Sequence, residues 1–271
     1  MSNNIKANTR SSILIRDLKD EDGQLRQAAC FSLGALAWVL TADERSEVIS
    51  ELLDATKDED EDVKEAACFA LATLSCVVTP DECQQILPSL LAAFKDPYED
   101  VRMSACWALG WLAELLTGAG RSEALAALLA AFKAKSCDVR VAACHAIGSL
   151  ARELTANERS QVISELLDAT KDEDEDVKEA ACFSLGALAW VLTADECKQI
   201  LRSLLDTLKD EDEDVRVAVC HAIGSLAREL TPHESSKVLP VLIKASKDEI
   251  FWVRCAAWWA LKKINEPCGI P

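Results

Sequence analysis

The chain has 271 residues, half of them hydrophobic, with only 9 Gly, 7 Pro and a formal net charge of -17. That charge excludes a sequence-independent grip on nucleic acid, which needs Lys and Arg to displace phosphate counterions, and disfavours anionic membrane surfaces. No stretch reaches the roughly 18 apolar residues of a membrane span, and the polar run Met1 to Arg10 lacks the apolar core of a secretory signal, so a cytoplasmic protein is expected.

Residues 1–9 read as a flexible segment, residues 10–265 as one domain, and residues 266–271 as a tail. Leu25, Val63, Val101, Val139, Val177, Val215 and Val253 recur every 38 residues without insertion or deletion, which gives seven copies of one unit. The copies are mosaics. Val48 to Phe69 recurs unchanged as Val162 to Phe183, and Cys144 to Thr155 recurs as Cys220 to Thr231. Recent internal duplication and deliberate assembly both leave that trace.

Each unit is predicted to be two helices. The first opens on a Thr-x-x-Glu box, in which the Thr hydroxyl and the Glu carboxylate satisfy each other's backbone amides. The box occurs as Thr41/Glu44, Thr79/Glu82, Thr155/Glu158, Thr193/Glu196 and Thr231/Glu234, with Pro80 and Pro232 at the first helical position, where a missing N–H costs nothing. In the fifth copy Val162, Ile163, Leu166 and Leu167 form its apolar stripe. An acidic turn, Asp172 to Asp176, leads to a second helix whose inward residues are Val177, Ala180, Ala181, Ser184, Leu185, Leu188 and Leu192. An isolated pair cannot bury both stripes, so the units must stack. Arg10 and Ser11 at the start, and Lys262 and Lys263 at the end, make the terminal units more polar.

Six of the 12 Cys fall at one position of the unit: Cys30, Cys68, Cys106, Cys144, Cys182 and Cys220. Packed helices lie about 8 to 10 Å apart, beyond the roughly 7 Å that a disulfide tolerates between Cα atoms. The ladder therefore reads as reduced, space-filling thiols. The acidic runs at Asp58 to Asp62, Asp172 to Asp176 and Asp210 to Asp214 lack the Gly and Glu of a calcium loop. They are expected to cap helices, favoured by the helix dipole, and to form an acidic rim that attracts basic partners.

Asp96, Val101, Arg102, Ala105, Leu109 and Gly110, with Pro88 and Pro240 on first helices, resemble the HEAT-repeat family, including bilin-lyase-type units. The resemblance covers about residues 10–265. It departs at Ser50, Ala126, Ser164 and Arg202, which lack the proline, and at Ala134, which replaces the turn aspartate. It implies an all-α fold, a right-handed α-α superhelical solenoid of seven HEAT-like repeats whose second helices line a concave face. It also implies a role as scaffold or adaptor.

Steps of about 100° around the second helix leave two columns away from the buried arc. One is Phe31, Phe69, Trp107, His145, Phe183, His221 and Trp259. The other is Trp38, Cys76, Glu114, Arg152, Trp190 and Arg228. With Trp111 these residues, Cys76 excepted, are the candidate partner-binding face, rich in the residue types of interface hot spots. The competing reading of the Phe/Trp/His column is packing against the neighbouring unit. The third and fourth units, with Trp107, Trp111 and a broken capping box at Thr117 to Gly120, are the candidate centre of specificity, against simple drift or a flexible joint.

No enzyme is expected, and no cofactor or metal. Deoxyhypusine hydroxylases, which resemble the family, hold two irons through several His-Glu pairs, whereas this chain has three His and one such pair, His233-Glu234. A HEAT-like DNA glycosylase would need a basic groove. The partner is expected to be a protein or peptide, with basic character favoured and the oligomeric state open. A bilin-lyase-type subunit and an engineered stable array are the alternatives.

Overall fold

All five Thr-x-x-Glu boxes form as expected. In the second repeat the Thr41 hydroxyl accepts from the Glu44 amide at 3.3 Å, while Glu44 accepts from the Thr41 amide at 3.0 Å. The same reciprocal pair opens the first helix of repeats 3, 5, 6 and 7. Repeat 4 lacks it: Thr117 makes no side-chain cap, and Gly118 enters the helix at φ +55°, a left-handed value that glycine adopts without strain.

The computed structural model describes residues 10–265, so the expected flanking segments, 1–9 and 266–271, lie outside the described residues. The described residues contain no strand. They form fourteen helices in seven pairs, α1 (Arg10–Asp17) with α2 (Gly23–Ala35), α3 (Ala42–Ala55) with α4 (Glu61–Thr73), α5 (Pro80–Ala93) with α6 (Glu99–Leu112), and α7 (Gly118–Ala131) with α8 (Cys137–Ser149). The remaining pairs are α9 (Ala156–Ala169) with α10 (Glu175–Ala187), α11 (Ala194–Thr207) with α12 (Glu213–Leu226), and α13 (Pro232–Ala245) with α14 (Phe251–Asn265). The described residues fall into two compact bodies, 10–146 and 147–265.

In the N-terminal body α2, α4 and α6 lie side by side in close contact, while α1, α3, α5 and α7 touch one another less. In the C-terminal body α10, α12 and α14 pack in the same way above a looser row of α9, α11 and α13. Each body therefore curves with its second helices on the inner side. Small residues permit the close approach. A Cβ added to Gly110 would lie 2.6 Å from the Ala146 Cα, and one on Gly186 would lie 3.0 Å from the Ala222 Cα.

The stripes are buried as their spacing requires. Val63, Val101, Val139, Val177, Val215 and Val253 are at most 1% exposed, as are the six ladder cysteines. Each buried stripe leucine is worth about 1.5 to 3 kcal/mol. Leu25 is 40% exposed, because no repeat among the described residues precedes it. None of the six ladder thiols is in a disulfide, and burial pushes Cys30, Cys68, Cys106, Cys182 and Cys220 up to about 12, so these five stay protonated and inert.

The acidic turns cap the second helices, with Asp60, Asp174 and Asp212 accepting from amides of the first turn. They also do something the sequence reading did not anticipate. The first aspartate of the turn takes the Arg or Lys at the start of the preceding second helix. Arg26 meets Asp58 at 2.7 Å, Lys64 meets Asp96 at 2.8 Å, Lys178 meets Asp210 at 2.9 Å and Arg216 meets Asp248 at 3.2 Å. Burial alone would raise the Asp58 carboxyl, but hydrogen bonds from Arg26 and the Asp60 amide outweigh it and hold the group below its usual range. A second set of bridges joins first helices, Arg45 to Glu82 and Arg159 to Glu196, each at 3.1 Å. Part of the expected acidic rim is thus spent on stacking.

Candidate functional site

The inner face of each body carries rings that pack along the column while keeping an open side. In the N-terminal body Phe31 and Phe69 meet edge to face at 5.8 Å, and Phe69 and Trp111 at 6.2 Å. All three remain 40 to 42% exposed. Packing and exposure, posed above as alternatives, therefore hold together: each ring steadies its neighbour and still offers a surface. Trp107 is half-buried and stacks on His145 at 5.1 Å, so of the two tryptophans in repeat 3 it is Trp111 that is open.

In the C-terminal body Phe183 stacks on His221 at 6.1 Å, and His221 lies 5.1 Å from Trp259. Burial holds the imidazoles of His145 and His221 below their ordinary value, so near neutral pH they act as uncharged rings. Trp190 is exposed, and the Arg228 guanidinium lies over it at 5.3 Å, a cation–π contact.

The second column departs from helical geometry. Trp38, Arg152 and Trp190 lie on short 3-10 turns (Ala37–Val39, Ala151–Glu153 and Leu188–Val191), and Cys76 closes another at Leu74–Cys76. Tightening of the last turn, common at helix ends, swings these side chains outward, so that Trp38 is 74% exposed. Glu114 and Arg228 stand in the corresponding turns and are also exposed. For the same reason Leu192, expected on the second helix, caps the 3-10 turn in extended backbone and is only half-buried.

Sequence reasoning missed two features, one on this face and one in the last repeat. Residues at i, i+3 and i+7 share a helix stripe, so Asp62 and Glu65 precede Phe69, and Asp176 and Glu179 precede Phe183. Burial, then the charges of Asp100 and Asp62, push the Glu65 carboxyl up, against a hydrogen bond from Ser104. Burial, then Asp214, Asp176 and Asp212, push Glu179 up. Repeat 7 also carries exposed Phe251, Trp252 and Trp258. The signal for each was present in the 38-residue alignment of columns.

The sequence profile described as HEAT repeats matches residues 11–110, 49–134, 87–186, 125–207, 163–232 and 201–271. The chain belongs to the HEAT-repeat family. No curated protein matches its sequence. Among solved structures it is similar to an engineered protein, with a TM-score of 0.59 and 20% identity over 81% of this chain and 99% of that one. It is similar to a computationally designed armadillo repeat protein for modular peptide recognition, with a TM-score of 0.55 and 19% identity over 80% of this chain and 100% of that one. A designed armadillo repeat protein in complex with the peptide (KR)4 aligns with a TM-score of 0.51 and 19% identity over 95% of this chain and 100% of that one. At such identities the likeness is one of fold.

Proposed function

We propose that this chain is a non-catalytic interaction scaffold that binds a basic protein segment or peptide on the inner face of its second helices. The observation that carries the reading is the half-exposed aromatic ladder, set on the same helix stripes as carboxylates that the fold holds at a cost. Burial first, and then neighbouring carboxylates, disfavour the ionised form of Glu65 and Glu179. A cationic side chain relieves that repulsion with its head and lays its aliphatic stem on Phe69 or Phe183. Perturbed acids beside exposed rings are the mark of a binding face rather than of a face optimised for stability. The net charge of -17 steers basic partners toward the chain. The (KR)4 peptide held by the designed armadillo repeat protein has the same chemistry.

Fluorescence anisotropy of a labelled Lys-Arg peptide tests this, with a Glu-Asp peptide of equal length as control. The parent binds the basic peptide and not the acidic one. Phe69→Ala/Trp111→Ala weakens binding about tenfold, or about 1.4 kcal/mol. Glu179→Gln weakens binding while melting at an equal or higher temperature, because it removes a charge the folded state disfavours. Equal affinity of parent and ladder variant for the peptide would show that the rings are not the recognition surface.

A further inference from the structure

The surfaces by which one repeat receives the next are defined by two columns of the second helix. The first is the cysteine ladder, where the Cys30 Sγ sits 4.0 Å from the Val63 carbonyl of the following repeat. The second is Gly34, Ala72, Gly110, Gly148, Gly186 and Gly224, where backbones nearly touch: a Cβ on Gly34 would lie 3.0 Å from the Ala70 Cα. In repeat 7 both columns change. Trp258 stands in the cysteine column and is 64% exposed, and an exposed Lys262 stands in the glycine column.

The polar clamp between repeats is left half-built at both ends. Arg26 and Arg216 are held alike, each donating through Nη1 to two carbonyls of its own turn and through Nε and Nη2 to the next aspartate. Arg254 has the same anchored edge, with Nη1 2.9 Å from the Asp248 carbonyl and 2.8 Å from that of Glu249. Its outward edge meets no carboxylate among the described residues. Asp20 in repeat 1 has the opposite half: its Oδ1 accepts from the Asp22 amide at 3.0 Å, as Asp58 accepts from Asp60, while Arg26 takes only its carbonyl and no Arg pairs with its carboxylate among the described residues. The two end faces also match in character. Repeat 1 offers Ile13 and Leu25, each 40% exposed, beside Asp20, Glu21 and Asp22, while repeat 7 offers Ile243 and Trp258 beside Arg254 and Lys262.

We propose that repeat 1 of a second copy is the partner repeat 7 would otherwise accept, through Arg254 and Asp20, and that Trp258 and Lys262 prevent this head-to-tail contact. An indole where other repeats have a thiol, and a lysine chain where others have a hydrogen or a methyl, cannot fit against a backbone that approaches this closely. A head-to-tail contact between identical chains does not close on itself and grows into a filament. These two residues therefore keep the chain from polymerising through its own repeat chemistry.

Trp258→Cys/Lys262→Ala tests the proposal by installing the pair that repeat 2 carries, Cys68 and Ala72. Sedimentation velocity under reducing conditions is run on parent and variant across a wide concentration range, with helicity checked by circular dichroism. The proposal expects the variant's average mass to rise with concentration, about twofold or more above the parent's. Adding Arg254→Glu returns it to the parent's mass, and adding Asp20→Arg to that chain restores growth. A variant that matches the parent at every concentration overturns the proposal, as does growth that persists with Arg254→Glu. Trp258→Ala/Lys262→Ala, held to the same outcomes, replaces the first variant should that one lose helicity.

Discussion

Repeat 3 lacks one part that the other clamps possess, and supplying it should stabilise the N-terminal body. Arg102 is anchored as the clamp arginines are, its Nη1 2.8 Å from the carbonyls of Asp96 and Pro97. The position that would supply its carboxylate is Ala134. The turn there has the right shape, since Ala134 donates to the Ala131 carbonyl at 3.0 Å, as Asp58 donates to Ala55 at 3.1 Å. Ala134→Asp therefore adds two interactions, a pair with Arg102 and an acceptor for the Ser136 amide. The Arg26–Asp58 pair that it copies has side chains 11% and 15% exposed, well shielded from solvent. A shielded pair of this kind contributes about 1 kcal/mol, and the turn hydrogen bond about 0.5 to 1 kcal/mol. Desolvation of the new carboxylate offsets part of that, which leaves a net gain of about 1 kcal/mol, or roughly 2 to 4 °C in melting temperature. Urea unfolding is the assay, because guanidinium would screen the pair. Ala134→Asn, which keeps the turn hydrogen bond without the charge, should recover about half of the gain, because a neutral amide oxygen is a weaker acceptor than a carboxylate. An Ala134→Asp protein no more stable than the Asn variant would refute the clamp as a stabilising device.

Two further outcomes follow from the same packing and electrostatics. Gly110→Ala should destabilise the N-terminal body by about 1 to 2 kcal/mol, because overpacking against the Ala146 backbone exceeds the roughly 1 kcal/mol that alanine gains in helix propensity; a rise in the urea midpoint would show that the two helices can separate freely. The carboxyls of Asp58, Asp210, Asp248, Glu82, Glu196 and Glu234 are all held below their ordinary values in the fold. Their contribution is complete above the usual carboxylate range near pH 4 and is lost as pH falls through it toward the depressed values. His145 and His221 are held below their ordinary value, so their contribution is lost as pH falls through about 6.5, while Glu65 and Glu179, shifted upward, act with the opposite sign closer to the carboxylate range. The urea midpoint should therefore decline slightly from about pH 7 to 6 and fall steeply below about pH 4. A midpoint that rises between pH 7 and 6 would contradict that assignment.

The repeat was legible because its signals are local. Thr41 and Glu44 lie three residues apart, and Val162, Ile163, Leu166 and Leu167 share one turn-spaced stripe, so caps and core followed from the chain itself. The clamps were not read, because Arg26 and Asp58 are 32 residues apart and the aspartate already had a sufficient role as a turn and cap residue. Phe31, Phe69 and Phe183 stay partly exposed, as their place outside the buried arc of the second helix requires. Sequence spacing could not decide whether the rings of this column touch, since rotamers bridge or fail to bridge the gap between neighbouring helices. Trp38 and Trp190 are more exposed than a continuous helix would leave them, and only the backbone reveals the 3-10 tightening responsible. Trp258 was overlooked as the occupant of the cysteine column because burial in that column requires a following repeat.

The most direct test of the inner face as a recognition surface is fluorine NMR of the protein labelled with 5-fluorotryptophan, its resonances assigned by single Trp→Phe replacements, during titration with a Lys-Arg peptide. Trp111 and Trp190, open on the inner face of their bodies, should shift in a saturable and salt-sensitive way while Trp258 on the end face stays fixed. Saturable shifts confined to Trp258, or no shift at any tryptophan under conditions where anisotropy reports binding, would contradict the account.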